Sequence, residues 1–485
     1  MIITGPGFPL DLDLDEPVEL SADLLASLAE NRARVLAALT SGVPVYGVNT
    51  GMGRLAGVTL DAPHQAAHQR NLLIGRAVGG PPWLSAEEVR CLLLVRLSDL
   101  VRLDTGVSPA LVTFLADRLN DGFTPAVPRS GLGSAGEIIP LSHAFQTFLG
   151  IGTVLENGVE TPAAEALAKR GVAPYVLGPK EGASLIQGSP LAVTFATLAN
   201  GEVQQLIDLQ TLTAAIAIDV LGAPHAVYRP KQAEADDHLY TLLHELGTLI
   251  EGSPSRPEVV QAPVSVRVGP RALAHTSRVN GDLLATLGRW HAAPSDSPMF
   301  LDGGFVPGTG YHAVELGLRM DAATAALVHL GEISVQRMHR LLDERFSGLP
   351  AQLSPDPGPQ AGLTPLHKRA VGELHALRRL ASPATLGSID TSAGQEDVQA
   401  FAWAAGDQLR TAVSHLFAIT ACELIAGSQA RHLAPGDGPR GLRAAYAWIA
   451  SVVPPVEEDR PLGPEVQRLV AACRDAYFND LATLT

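Results

Sequence analysis

Four stretches of this chain, 192–221, 311–346, 362–381 and 395–427, carry apolar residues at helical spacing around much of their circumference. A helix that is apolar on nearly every side has no face for water, so other helices must enclose it. The apolar positions are filled largely by Ala and Leu. The chain is 46% hydrophobic but only 5% aromatic, and Ala and Leu are strong helix formers. The pattern predicts an all-α fold with a central bundle of long helices. No run reads as a strand, no βαβ alternation is present, and no short repeat stands out.

Shorter helices are expected at 21–40, 62–77, 86–102 and 108–120, and again at 234–250, 440–452 and 464–480. Ser21 is placed to cap the first of these. Glycine-rich segments at 45–57 and 129–143 break the periodicity, and 354–362 (SPDPGPQAG) reads as a loop. Residues 1–190 thus hold shorter helices and glycine-rich loops, and 191–485 hold the long helices. No linker separates the two, so one structural unit is expected.

Fifty acidic residues against 35 basic ones give a net charge of −15. Such a chain repels phosphate backbones, which argues against nucleic-acid binding. The glycine-rich loops lack both GxGxxG and the P-loop ending, so they are not read as phosphate cradles. Cys91, Cys422 and Cys473 lie far apart and fit neither a disulfide framework nor a zinc site. No other spacing of His, Cys, Asp and Glu reads as a metal site. The start has no basic segment leading into an apolar run, and Asp219, Arg319 and Glu423 interrupt the long apolar helices. The expectation is a cytoplasmic protein with no membrane span.

Six segments occur in a fixed order: YGVNTGMGRL (46–55), QRNLL (69–73), GSAGEIIPLSH (133–143), KEGASLIQGS (180–189), SVR (265–267) and TSAGQED (391–397). Together they resemble the histidine and phenylalanine ammonia-lyase family, and the resemblance runs from about residue 20 to the C-terminus. It implies an all-α fold and a homotetramer whose active sites combine loops from several subunits. It also implies an internal Ala-Ser-Gly that cyclises into a methylidene-imidazolone, the electrophile that engages the substrate amine. A loop Tyr serves as base and an Arg clamps the substrate carboxylate.

Aligned backward from PLSH, the triad position holds Ser134-Ala135-Gly136. Ala135 has no β-hydroxyl to lose, so this register forms no methylidene. The segment between Val127-Pro128 and Glu137 is one residue shorter than the family pattern, which opens a shifted register, Gly133-Ser134-Ala135. There Ser134 is central and the attacking amide is that of Ala135, which bends less readily than glycine. Other family positions differ too. Gln187 stands where Asn is usual, Val264 where Tyr is usual, and Gly310-Tyr311-His312 where Asn-Phe-His is usual. Arg76 replaces a His that faces the substrate side chain in the family, adding a second cation to Arg267. A guanidinium prefers planar anions, so a substrate with two anionic or acceptor groups is expected.

By resemblance, Tyr46 is the base, Arg267 the carboxylate clamp and Glu396 a pocket acid. Glu396 is open to the alternative of an acid at a helix N-terminus. Tyr311 is either a new acid–base group or a packing residue. Arg76, Gln187, Gln395 and His312 are candidate substrate contacts, with Asn49 orienting the Tyr46 loop or forming an Asx-turn. Three functions follow. The first, which the altered triad favours, is an enzyme without the prosthetic group, using acid–base chemistry for elimination, addition, isomerisation or cyclisation on a small carboxylate-bearing substrate. The second is an ammonia-lyase or aminomutase using the shifted triad, and the third a non-catalytic homologue.

Overall fold

The computed structural model describes residues 1–7, 14–233, 235–256 and 259–475. The fold is all-α, as expected. Its longest helices are Pro190–Leu221, Gly269–Ala292, Val314–Leu342 and Ala402–Leu433. Three of these match long apolar stretches of the sequence, and the fourth such stretch is the shorter helix Thr364–Arg378. The sequence reading left Gly269–Ala292 unassigned, since it opens on Gly269-Pro270 and its composition is polar overall. The first helix, Ala22–Leu39, is capped by Ser21, whose hydroxyl accepts from the Leu24 amide at 3.3 Å. The expected helices at 234–250 and 464–480 form as Asp237–Leu249 and Gly463–Asp475; residue 234 and residues past 475 lie outside the described part.

Three two-stranded pairs escaped the sequence reading. Ile2–Ile3 pairs in parallel with Glu19–Leu20, while Thr153–Glu156 with Val159–Pro162 and Met299–Leu301 with Gly304–Val306 are antiparallel. Both antiparallel pairs turn on two residues at positive φ, Asn157-Gly158 and Asp302-Gly303. These are Asn-Gly and Asp-Gly hairpin signals, overlooked because strands of three or four residues show almost no alternation.

Two compact units divide the chain: residues 1–198, 284–320 and 384–407 form one, and 199–283, 321–383 and 408–485 the other. In the first unit the core gathers Leu92, Leu97, Leu115, Phe145, Phe148 and Phe195, all buried. Gly406 lies against Phe195 there, and a methyl at 406 would meet the Phe195 Cβ at 2.6 Å. The second unit shows the same close approach, where a methyl on Gly427 would meet Ile216 at 2.4 Å. Helix Ala402–Leu433 is long and apolar enough to cross a membrane, but 78% of its most apolar stretch is buried inside the protein. Cys91, Cys422 and Cys473 are all buried.

The core of the second unit holds a salt bridge. Arg337 meets Glu423 at 2.6 Å through Nε, and both side chains are 1% exposed. The guanidinium also donates to Gln210 Oε1 at 2.8 Å and Thr213 Oγ1 at 2.7 Å, and Ser334 donates to the carboxylate. Every charge here has a partner. Removing one leaves the other buried alone, at a cost of about 3–5 kcal/mol, whereas replacing both with apolar groups of similar volume is often neutral. Arg337→Met should therefore lower the denaturation midpoint strongly, and Arg337→Met combined with Glu423→Leu should recover most of the loss. A double variant as unstable as the single one would contradict this account.

Candidate active site

The cavity that gathers the motif residues lies in the first unit and has a volume of about 430 Å³. Five segments distant in sequence build it.

The first is the loop carrying Tyr46. Asn49 holds it closed: its Oδ1 accepts from the Val45 amide at 2.6 Å and its Nδ2 donates to the Val43 carbonyl at 2.8 Å. The Tyr46 hydroxyl oxygen accepts from the Gly53 amide at 2.8 Å, which fixes its position. Behind the loop, buried Gln69 donates to the Gly47 carbonyl at 3.0 Å and accepts from the Ala183 amide at 3.1 Å. Gln69 thus joins the Tyr46 loop to the wall that bears Gln187. Its place in QRNLL is the one signal that could have found it.

The second is the triad segment. Ser134 is buried and its hydroxyl donates to the Gly136 carbonyl at 2.6 Å. Ala135 and Gly136 line the cavity. Glu137 follows, fully buried, and accepts from the amides of Leu191 at 2.5 Å and Ala192 at 2.8 Å. Burial pushes the Glu137 carboxyl up to about 8, against the pull of those two amides.

Ile186, Gln187 and Gly188 form the third wall. The fourth runs from Ser297 to Tyr311, and Ser189 pins it by donating to the Tyr311 carbonyl at 2.6 Å. A buried ion pair ties the third and fourth walls together. Lys180 meets Asp296 at 2.5 Å and also donates to Ser184 Oγ and the Thr105 carbonyl, at 2.8 and 2.7 Å. Burial lowers the Lys180 ammonium from its ordinary value, and Asp296 opposes that shift. Neither Lys180 nor Asp296 stood out in the sequence reading, although Lys180 opens the KEGAS segment.

The fifth is the TSAGQED hairpin, closed by a bridge between Thr391 and Glu396. Glu396 and Gln395 line the cavity. Glu396 is not at a helix N-terminus, because the next helix starts at Ala402. That corrects the alternative reading of it as a helix-stabilising acid. Its Oε2 instead accepts from the Ala135 amide at 3.2 Å, and Ser392 donates to its Oε1 at 3.0 Å.

Tyr46, Ala135, Gly136, Gln187, Tyr311, Gln395 and Glu396 therefore share one cavity. Ser134 is buried and is not among the lining residues. Arg76 follows helix Ala62–Ile74 and is not among the lining residues. Burial holds its guanidinium below its ordinary value, and Tyr46 and Glu396 push it back up. His312 does not line the cavity either, and its Nε2 is buried with no partner among the described residues. Arg267 belongs to the second unit, where it donates to the Ala262 carbonyl at 2.8 Å and borders a different cavity beside Gln232 and Arg271. Val264 is exposed. Among the described residues no group of three or more His, Cys, Asp and Glu could hold a metal ion.

A tyrosine, a glutamate and a glycine-rich turn thus surround one cavity in an all-α chain. The family model for aromatic amino acid lyases matches residues 12–451, and the chain belongs to that family. It is 32% identical to a histidine ammonia-lyase of Deinococcus radiodurans over 465 residues, covering 94% of this chain and 89% of the relative. With a histidine ammonia-lyase of Streptomyces coelicolor it shares 34% identity over 478 residues, 95% of this chain and 93% of the relative. Its fold matches a tyrosine aminomutase structure from Streptomyces globisporus with a TM-score of 0.94 at 23% identity, covering 100% and 98% of the two chains. A histidine ammonia-lyase structure from Trypanosoma cruzi gives 0.92 at 23% identity, covering 100% and 95%.

These relatives overturn the first of the three functions read from the sequence. A set of curated relatives about one-third identical over nearly the whole chain is named for ammonia elimination, so an enzyme without the prosthetic group running another reaction is not the supported reading. The expectation rested on the Ser134-Ala135-Gly136 register together with the changes at Arg76, Gln187, Val264 and Tyr311, and similarity over nearly the whole chain outweighs those local departures.

The buried Glu137 carboxyl generates a pH effect. Its folded value of about 8 lies above the ordinary carboxylate range, so the folded state holds the proton more tightly than the unfolded state. The stability this contributes is complete below about pH 4 and is lost as pH rises through about 8. Thermal unfolding of wild type and Glu137→Gln should diverge across that window, with wild type losing ground as pH rises. Parallel curves would show that Glu137 does not titrate there.

Proposed function

We propose that this protein is an ammonia-lyase acting on an α-amino acid, with Gly133-Ser134-Ala135 as the segment that becomes the methylidene-imidazolone. The observation that carries the reading is the convergence of Tyr46, Gln187, Tyr311 and Glu396 on Ala135 and Gly136 in one cavity. The residues present fit the group in the shifted register. Ser134 supplies the hydroxyl that must be lost. Gly133 has no heavy atom within 4 Å of where a β-carbon would stand, so that position has room to turn. Ala135 is not among the residues at positive φ, so its methyl adds no strain before cyclisation.

When formed, the group supplies an electrophile for the substrate amine, turning it into a better leaving group. The side chains do the rest. Tyr46, its oxygen set by the Gly53 amide, removes the β-proton. Gln187 and Tyr311 border the place where the substrate lies. The carboxylate is held by Arg267 of another copy within a homotetramer with composite sites. Arg76, whose guanidinium is held up by Tyr46 and Glu396 against the effect of burial, favours a substrate side chain with an anionic or acceptor group. A cytoplasmic location belongs to the same proposal, since the three cysteines lie far apart in the sequence and fit no disulfide framework.

Intact mass spectrometry tests the central claim. The purified chain should weigh two waters less than its sequence, and Ser134→Ala should restore the full mass. A wild-type chain of full mass would refute the reading. Ammonia release from histidine and from amino acids with acidic side chains should then be measured. Tyr46→Phe should lower kcat by about 10²–10⁴-fold while keeping the two-water deficit.

A further inference from the structure

We propose that Glu396 is the base that matures the site, taking the amide proton of Ala135 as that nitrogen attacks the Gly133 carbonyl carbon. The inference rests on the reading of Gly133-Ser134-Ala135 as the self-modifying segment and assigns Glu396 a task that precedes any turnover.

The Ala135 amide donates to Glu396 Oε2 at 3.2 Å, although 261 residues separate them. A peptide nitrogen is a poor nucleophile because its lone pair is delocalised into the carbonyl. A carboxylate already on its N–H can accept the proton as the new bond forms, which lowers the barrier in the manner of general-base catalysis. Glu396 is held for this. Ser392 donates to its other oxygen at 3.0 Å, and Thr391 Oγ1 lies 3.3 Å from Oε2. The hairpin that presents it passes through Ser392 and Ala393 at φ 55 and 53, a left-handed backbone that side chains rarely adopt.

The step balances without an added reagent. A bond forms between Ala135 N and the Gly133 carbonyl carbon, and the amide proton passes to Glu396. The former carbonyl oxygen leaves as the first water, taking that proton back from Glu396 and a second from the Ser134 amide, so that a C=N bond results. The Ser134 hydroxyl leaves with the Ser134 Cα proton as the second water, giving the exocyclic C=C bond. Glu396 ends as a carboxylate, and nothing is oxidised or reduced.

The test follows the mass of the full-length chain after pulsed cell-free synthesis, with circular dichroism to verify folding. Wild type and Tyr46→Phe should both lose two waters. Glu396→Gln should keep the full mass or lose water about a hundredfold more slowly, and Glu396→Asp should fall between. A Glu396→Gln chain that matures at the wild-type rate overturns the proposal while leaving the shifted triad intact. If wild type itself keeps its full mass, the triad reading fails and this proposal with it. Should Glu396→Gln not fold, Glu396→Asp decides, since maturation at the wild-type rate would again overturn the assignment.

Discussion

The site depends on one buried carboxyl group. Glu137 follows the triad segment directly and accepts from the first free amides of helix Pro190–Leu221. Helix starts carry unpaired N–H groups and partial positive charge, so an acid there is both bonded and electrostatically favoured. Here the acid comes from another part of the chain. The triad turn is thereby anchored to one of the longest helices, and any shift of one would move the other. Burial raises the Glu137 carboxyl to about 8, so the anchor sits near its own titration at neutral pH.

A second buried pair sets the opposite side. Lys180 and Asp296 are almost fully enclosed, and each precedes a cavity wall: Ile186–Gly188 after Lys180, and Ser297–Tyr311 after Asp296. Buried pairs are poor sources of net stability, because desolvation offsets much of the attraction. They do fix geometry, since neither charge can leave its partner. The cavity is therefore lined by loops whose backbones are held by charges and amides beneath them, while Tyr46 and Glu396 project from loops held by local bonds. Rigid support of reactive groups on loops is what positioning for proton transfer requires.

Much of this was legible in the residues. The apolar girth of 192–221 and 395–427 announced enclosed helices, and Ser21 marked a helix start to within a residue. Tyr46, Gln187, Tyr311 and Glu396 were singled out by their motifs, and the fold brings them to one cavity. The hairpins at Asn157-Gly158 and Asp302-Gly303 were legible and overlooked. Gln69, Lys180 and Asp296 were not singled out, because a polar residue that works by bridging two backbones looks like any other polar residue until both backbones are in place. The reaction was misjudged for a related reason. One register of Ser134-Ala135-Gly136 was weighed above its neighbour, and relatives across the whole chain outweigh a local alignment.

By itself the sequence determined the helical class and the side chains available for chemistry, and its ordered motifs carried the resemblance to the lyase family. Those follow from periodicity, helix propensity and residue types at motif spacing, all of which are local. Only the tertiary structure decided that the Ala135 amide meets the Glu396 carboxylate, that Glu137 caps Pro190–Leu221, and that Arg267 falls in a different unit from Tyr46. These pairings join residues 54 to 261 positions apart or separate residues that one motif set had grouped. They are set by how helices pack and where loops return, and no local preference of the chain encodes that distance.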